Sequence, residues 1–375
     1  MSKATKQISK LFAAMVLAGV ASQSFAADTI LIGIAGPKTG PVTQYGDMQF
    51  IGAKQAIKDI NAAGGVDGKM LEAKEYDDAC DPKQAVAVAN KVVNDGVKYV
   101  IGHLCSSSTQ PASDIYEDEG VIMITPAATS PEITSRGYKL IFRTIGLDSA
   151  QGPAAGNYIA DHVKPKVVAV LHDKQQYGEG IATAVKTTLE GKGTKVAVFE
   201  GLNAGDKDFS SIIQKLKQAN VDFVYYGGYH PELGLILRQA QEKGLKAKFM
   251  GPEGVGNDSI SQIAQNASEG LLVTLPKSFD ADPANKKISD AIKADGKDPS
   301  GPFVFPAYSA VELIAQGIKA AKSEDTDKVA EAIHAGTFKT PTGDLSYDKN
   351  GDLKDFKFVV YEWHFGKPKT EVSPQ

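Results

Sequence analysis

The run Tyr99-Val100-Ile101-Gly102-His103-Leu104-Cys105-Ser106-Ser107-Ser108-Thr109 decides the fold. Tyr99 to Ile101 is a short apolar run closed by a glycine, which reads as a buried strand. The hydroxyl run that follows opens a helix. Working backwards, Ile30 to Ala35 is another apolar run ending in Gly36. Phe50, Ala53, Ile57 and Ile60 then recur at helical spacing until Gly64-Gly65 stops them. Met70 to Tyr76 reads as a strand, and Asp81-Pro82 as a helix start with proline in the first helical position. Ala85, Val88, Ala89 and Val92 line that helix, and Val121 to Ile124 forms a further strand. Strand and helix alternate, which predicts an α/β fold with a parallel sheet covered on both faces.

The rhythm restarts downstream. Val167 to Leu171, Val196 to Phe199, Phe223 to Tyr226, Lys248 to Met250 and Leu271 to Val273 read as strands, with helices such as Ile212, Leu216 and Ala219 between them. Two such series predict two doubly wound lobes. The last third is mixed, with helices around Tyr308–Ala321 and Lys328–His334 and a strand near Phe358–Trp363. No short-period repeat or low-complexity linker separates the halves.

Composition narrows the function. Hydrophobic residues make up 42% and charged residues 23% of the 375, which supports packed cores and excludes wholesale disorder. The formal charge is −4 and no basic tract stands out, which argues against a nucleic-acid partner. Residues 1–26 read as an export signal: Lys3, Lys6 and Lys10, then an apolar core from Leu11 to Ala21, then Ser24-Phe25-Ala26 as a small-x-small cleavage site. Removing that segment leaves 38 basic residues against 45 acidic ones, a net charge of −7. In an exported chain the two cysteines, Cys80 and Cys105, favour a disulfide. The alternative is a nucleophilic Cys105 with His103 as its base, since both lie on one face of an extended segment.

In parallel sheets ligands bind beyond the carboxyl ends of the strands. Just past each predicted strand lie Gly36 to Tyr45, then His103 to Thr109, then Thr125 to Thr129. In the second half the same positions hold Tyr177, Tyr229 with His230, and Glu253. Hydroxyls and free backbone N–H groups at a helix start suit a carboxylate, although such serines also serve as plain caps. Glu253 suits an ammonium or is a solvated loop charge. Tyr45, Tyr177 and Tyr229 suit the walls of an apolar pocket. Together these residues describe a zwitterion site. Catalytic motifs are missing: there is no G-x-S-x-G, no Walker A, no H-E-x-x-H and no G-x-G-x-x-G. Asp348 to Asp355 resembles a calcium loop, but Val359 stands where the bidentate glutamate belongs, so a β-turn is the better reading. Asn257 and Asn266 lie in N-x-S sequons, which matter only in a glycosylating host.

Several of these segments are recognisable. Asp77-Asp78-Ala79-Cys80-Asp81-Pro82, Gly102 to Thr109, His172 to Gly178, Tyr225 to Glu232 and Gly251-Pro252-Glu253-Gly254 closely resemble the bacterial periplasmic leucine/isoleucine/valine-binding proteins. The resemblance covers essentially all of the chain after the export signal. It implies a type I periplasmic binding fold, a flytrap of two lobes joined by three crossings. Lobe one would be 27–147 plus 276–355, and lobe two 148–275 plus 356–375. The family disulfide maps onto Cys80 and Cys105. The ligand carboxylate contacts map onto Ser106 and Thr129, and the ammonium contacts onto Ala127 through its carbonyl, Thr129 and Glu253. The side-chain pocket maps onto Tyr45, Leu104, Cys105, Tyr177, Tyr229 and Phe303. Leucine-specific relatives carry tryptophan at the position of Tyr45, so the resemblance favours the broader class that takes leucine, isoleucine and valine. Phe305 and Pro306 depart from the tryptophan and threonine expected nearby. The implied protein is a periplasmic monomer, not an enzyme, with no cofactor and no metal. It delivers its ligand to the permease subunits of an ABC transporter. The alternative is a sensor component for another neutral amino acid.

Overall fold

Six of the seven residues of the first strand, β1 (Ile30–Gly36), are buried, as a strand covered on both faces requires. The computed structural model describes residues 29–373. The expected export signal, 1–26, and its cleavage site lie outside the described residues. From β1 the chain runs through α1 (Thr43–Ala62), β2 (Leu71–Asp77), α2 (Pro82–Asn94), β3 (Tyr99–Gly102), α3 (Ser106–Asp118), β4 (Ile122–Thr125) and β5 (Ile141–Arg143). It continues through α4 (Asp148–Tyr158), β6 (Val168–His172), α5 (Gln176–Gly191), β7 (Val196–Gly201), α6 (Ser210–Gln218), β8 (Phe223–Gly227), α7 (His230–Glu242), β9 (Lys248–Gly251), α8 (Ser259–Ala264) and β10 (Leu272–Pro276). The last part holds α9 (Lys286–Ala294), α10 (Val304–Ala321), α11 (Thr326–Ala335), β11 (Thr337–Thr340), β12 (Gly343–Ser346), β13 (Phe358–His364) and β14 (Lys367–Glu371).

Among the described residues these strands form two main sheets and a small ribbon. One sheet has the order β2-β1-β3-β4-β5, the other β14-β13-β10-β9-β8-β6-β7, and β11 pairs with β12. All pairings in the first sheet are parallel. Its faces are covered separately: Ala53, Ile57, Ile314 and Ile333 of α1, α10 and α11 pack on one side, and Val88, Val92 and Tyr116 of α2 and α3 on the other. The second sheet is built likewise, with Ile213, Leu233 and Ile260 on one face and Ala155, Ile181's neighbour Ala182 and Val185 on the other. The two α/β lobes are therefore each doubly wound. The chain passes from the first sheet to the second after β5, returns to the first core after β10, and re-enters the second sheet at β13.

The parallel expectation needs one correction. β13 pairs antiparallel with β10, and β14 antiparallel with β13. β13 arrives from the other lobe and not through a helix packed on its own sheet, so no right-handed crossover forces it to run parallel. The helix start at Asp81 is as expected: its carboxylate accepts the Gln84 N–H at 2.8 Å, with Pro82 in the first helical position. Asp348 to Asp355 forms a turn in which the Gly351 N–H donates to the Asp348 carbonyl at 3.2 Å. Asp348 there accepts the Asn350 and Asp352 N–H groups, at 2.8 and 3.0 Å. Asp352 is committed to Arg143 at 2.6 Å.

Candidate functional site

The loops after β1, β3 and β4 meet the loops after β6, β8 and β9. The six residues expected to wall a pocket, Tyr45, Leu104, Cys105, Tyr177, Tyr229 and Phe303, belong to one buried apolar cluster with Val42, Ile145 and Ile181. Tyr45 packs edge-on against Phe303 with ring centroids 5.3 Å apart, and Tyr177 tilts against Tyr229 at 5.3 Å. Such offset arrangements suit aromatic quadrupoles and leave flat, rigid walls. Phe303 comes from the turn before α10, so a distant part of the chain completes the cluster.

A polar rim adjoins these walls. Ser106 opens α3, and its Oγ accepts the Ser130 N–H at 3.3 Å. Cys105 occupies the cap position and no side chain caps the helix, so the serines lie inside the first turn and the plain-cap reading does not hold. Thr125 donates to the His103 carbonyl at 2.7 Å and accepts the Ala128 N–H at 2.9 Å, which fixes the bend that carries Ala127 and Thr129. Across the interface, Thr129 Oγ1 donates to Glu253 Oε1 at 3.5 Å, and the Tyr45 hydroxyl donates to the Glu253 carbonyl at 3.3 Å. The Tyr177 hydroxyl accepts the Gly254 N–H at 3.1 Å. A Cβ on Gly254 would sit 2.7 Å from the Gly228 carbonyl and 2.8 Å from the Tyr177 ring, so this turn needs glycine.

The electrostatics centre on Glu253, which is 1% exposed. Burial raises its carboxyl to about 7, against the opposing effect of hydrogen bonds from Gln151, Tyr177 and Thr129. Its Oε2 has no hydrogen-bond partner among the described residues. Burial also raises the Tyr45, Tyr177 and Tyr229 phenols well above their ordinary value, and the Glu253 charge adds to that. The walls are therefore neutral, and the ionisable carboxyl of Glu253 lies at one end of the site.

Cys80 and Cys105 form a disulfide with Cα atoms 5.6 Å apart. His103 does not face Cys105 as a base: its Nδ1 lies 2.5 Å from Asp78 Oδ2 and its Nε2 lies 3.0 Å from the Tyr116 hydroxyl, all three side chains buried. The Cys80 N–H donates to Asp78 Oδ1 at 2.8 Å, so this buried chain and the disulfide hold the same loop. Cys80→Ser is expected to lower stability by roughly 3–4 kcal/mol, because the bridge closes a loop of about 25 residues in the unfolded chain. Denaturant melts should show it, and reduction of the unmodified protein should give the same shift.

Sequence reading missed four residues here. Asp148 and Gln151 lie on α4, behind Thr129 and Glu253, in a helix with no apolar stripe to announce it. Asn257 is no surface sequon: it is buried, and its Nδ2 lies 3.0 Å from His230 Nδ1. His230 packs edge-on against Tyr45 at 5.4 Å, and burial lowers it to about 4, so it is neutral. Gln176 Nε2 bridges the lobes by donating to Ser130 Oγ at 3.2 Å, to Glu132 Oε2 at 3.2 Å and to Gln110 Oε1.

The pattern of the periplasmic binding protein family matches residues 29–367. The chain belongs to this family. It is 68% identical over 373 residues, the whole of both chains, to the leucine-, isoleucine-, valine-, threonine- and alanine-binding protein of Pseudomonas aeruginosa. It is 57% identical to the Leu/Ile/Val-binding protein of Escherichia coli K12, over 96% of this chain and 98% of that one. Among solved structures it is similar to LivJ of Streptococcus pneumoniae, the substrate-binding protein of a branched-chain amino acid transporter, in complex with isoleucine. The TM-score is 0.84 at 27% identity, covering 92% of this chain and all of the other. These relatives are binding proteins and not enzymes, and the type I periplasmic binding fold of the neighbours is the one described above.

Proposed function

We propose that this binding protein captures leucine, isoleucine or valine between its lobes and delivers the ligand to an ABC transporter. The observation that carries the reading is Glu253, a buried carboxylate with a free oxygen. It faces Ser106, Ala127 and Thr129 across the interface, beside a wall of aromatic and aliphatic side chains. Ser106 and Thr129 take the ligand carboxylate. Thr129, Glu253 and the Ala127 carbonyl take the ammonium. Tyr45, Leu104, the Cys80–Cys105 disulfide, Tyr177, Tyr229 and Phe303 enclose the side chain. The first lobe alone holds the ligand in an open form, and closure adds Glu253 and the tyrosines. Excluding water strengthens the ion pair, so the ligand stabilises the closed form by its differential affinity. The hinge lies where the segments 27–147 plus 276–355 and 148–275 plus 356–375 meet. The closed shape is what the permease subunits recognise. The protein works in the periplasm as a monomer, after cleavage of its signal near Ala26.

The test is calorimetric titration of protein unfolded and refolded to strip bound ligand, against a panel of free amino acids. One-to-one binding of leucine, isoleucine and valine is expected, and silence from all three overturns the reading. An apolar pocket separates ligands differing by one methylene by only about 1–3 kcal/mol, which explains a broad preference. The relative from P. aeruginosa carries threonine and alanine in its name as well. Tyr45→Trp is expected to raise the leucine-to-valine affinity ratio by roughly tenfold, because a larger ring against Phe303 and His230 reshapes the wall. An unaltered ratio in the same titration removes Tyr45 as the selector.

A further inference from the structure

Two buried carboxylates lie on either side of Thr129, and no side-chain cation is bonded to either. Asp148, the first residue of α4, is 2% exposed, and its backbone N–H donates to the Thr129 carbonyl at 2.9 Å. Neither of its carboxylate oxygens makes a well-formed hydrogen bond among the described residues, and Glu253 Oε2 shares that condition, although the Thr129 hydroxyl lies close enough to favour the ionised form of Asp148. The Arg143 charge reaches Asp148. Its guanidinium, however, is spent on Asp352, the Ala128 and Ser130 carbonyls and Thr134, at 2.6 to 3.2 Å. Tyr177, Tyr225 and Tyr229 feel both carboxylates and stay neutral. Burial, with the Glu253 charge second, pushes Asp148 well above the usual carboxylate range. Two buried like charges without partners are unstable, so the pair takes up protons when empty and can ionise fully only when a cation joins it.

Building on the reading that Glu253 receives the ligand's ammonium, we propose that Asp148 is the second carboxylate of that ammonium site and selects for ligands with a free α-amine. The ammonium answers both charges at once. A carboxylic acid of the same shape without the amine leaves both uncompensated, so the site rejects it. Asp148 brings no benefit to the empty protein, where its buried carboxyl has no cation and is driven towards its protonated form. This separates a ligand-directed residue from one that supports the fold.

The test uses Asp148→Asn and the smaller Asp148→Ser, each stripped of ligand. They are compared with the unmodified protein by titration with leucine and by thermal melting without ligand. Leucine affinity is expected to fall at least tenfold while the ligand-free melting temperature stays unchanged or rises. Unchanged leucine affinity overturns the proposal. So does a lower ligand-free melting temperature alongside the lost affinity, which assigns Asp148 to the fold, and so does failure of both variants to fold. If the unmodified protein does not bind leucine, the reading beneath the proposal fails with it, and that result is seen before any variant is compared.

Discussion

Glu253→Gln is expected to weaken leucine binding by roughly 10²–10³-fold, about 3–4 kcal/mol, the largest loss from a single change in the site. Glutamine keeps the shape, so the turn at Gly254 and the contact with Thr129 survive. What disappears is the charge that we propose meets the ammonium, in a buried site where each charge acts at short range through a low dielectric. Titration with leucine checks this directly, and an unchanged affinity removes Glu253 from the site. The same variant tests the proton balance of the empty protein. Burial holds Glu253 at about 7, against about 4.3 in an unfolded chain. The folded empty protein therefore holds this proton more tightly than the unfolded chain does. The resulting stabilisation is complete below the unfolded value and is lost as pH rises through about 7. Between about pH 5 and 8 the ligand-free melting temperature should fall relative to that of Glu253→Gln, and leucine should restore it at the upper end. Parallel profiles for the two proteins would mean that Glu253 is solvated.

What the sequence disclosed, and what it hid, follows from how each segment is buried. β1, β3 and β4 are legible because strands covered on both faces must be runs of apolar residues. β5 is only three residues long and ends in Arg143, whose charge breaks the apolar signal although the side chain is wholly buried. β14, Lys-Pro-Lys-Thr-Glu, is an exposed edge with almost no apolar residue, as edge strands tend to be. The strand-end rule located Tyr45, Ser106, Thr129, Tyr177, Tyr229 and Glu253, because a sheet's direction dictates where its loops gather. It could not locate Phe303, which enters from the turn before α10, and only family resemblance supplied that residue. Asp148 escaped both routes. An aspartate at a helix start is an ordinary sight in a sequence, and its significance lies in two buried oxygens with no well-formed hydrogen bond among the described residues. Asn257 was misleading for the opposite reason: its sequon is visible locally, whereas its burial beside His230 is a tertiary fact.

Arg143→Ala is expected to lower the stability of the ligand-free protein by about 3–5 kcal/mol, the largest effect of any single change on the fold. Arg143 is wholly buried. It bonds Asp352 at 2.6 Å, the Ala128 carbonyl at 2.7 Å, the Ser130 carbonyl at 3.2 Å and Thr134 Oγ1 at 2.7 Å. One side chain thus pins the bend that carries Thr129 to the segment just before β13, where the chain passes between lobes for the third time. Removing it leaves a buried Asp352 without its cation and the Ala128 carbonyl without its donor, while the Ser130 carbonyl keeps only the Ile133 N–H at 3.3 Å, and the first two losses cost free energy. Adding Asp352→Leu should recover part of the loss, since the unpaired charge is gone, but not all of it, because the Ala128 carbonyl stays unsatisfied. Denaturant melts of the single and double variants measure that recovery. If the double variant is no more stable than Arg143→Ala, the ion pair contributes little and the carbonyl bonds carry the effect. Leucine binding supplies the second readout. The bend held by Arg143 presents Ala127 and Thr129, so the variant should lose affinity under conditions where it is still folded. Affinity retained in the folded variant would show that Thr125, bonded to the His103 carbonyl and the Ala128 N–H, holds the bend without help.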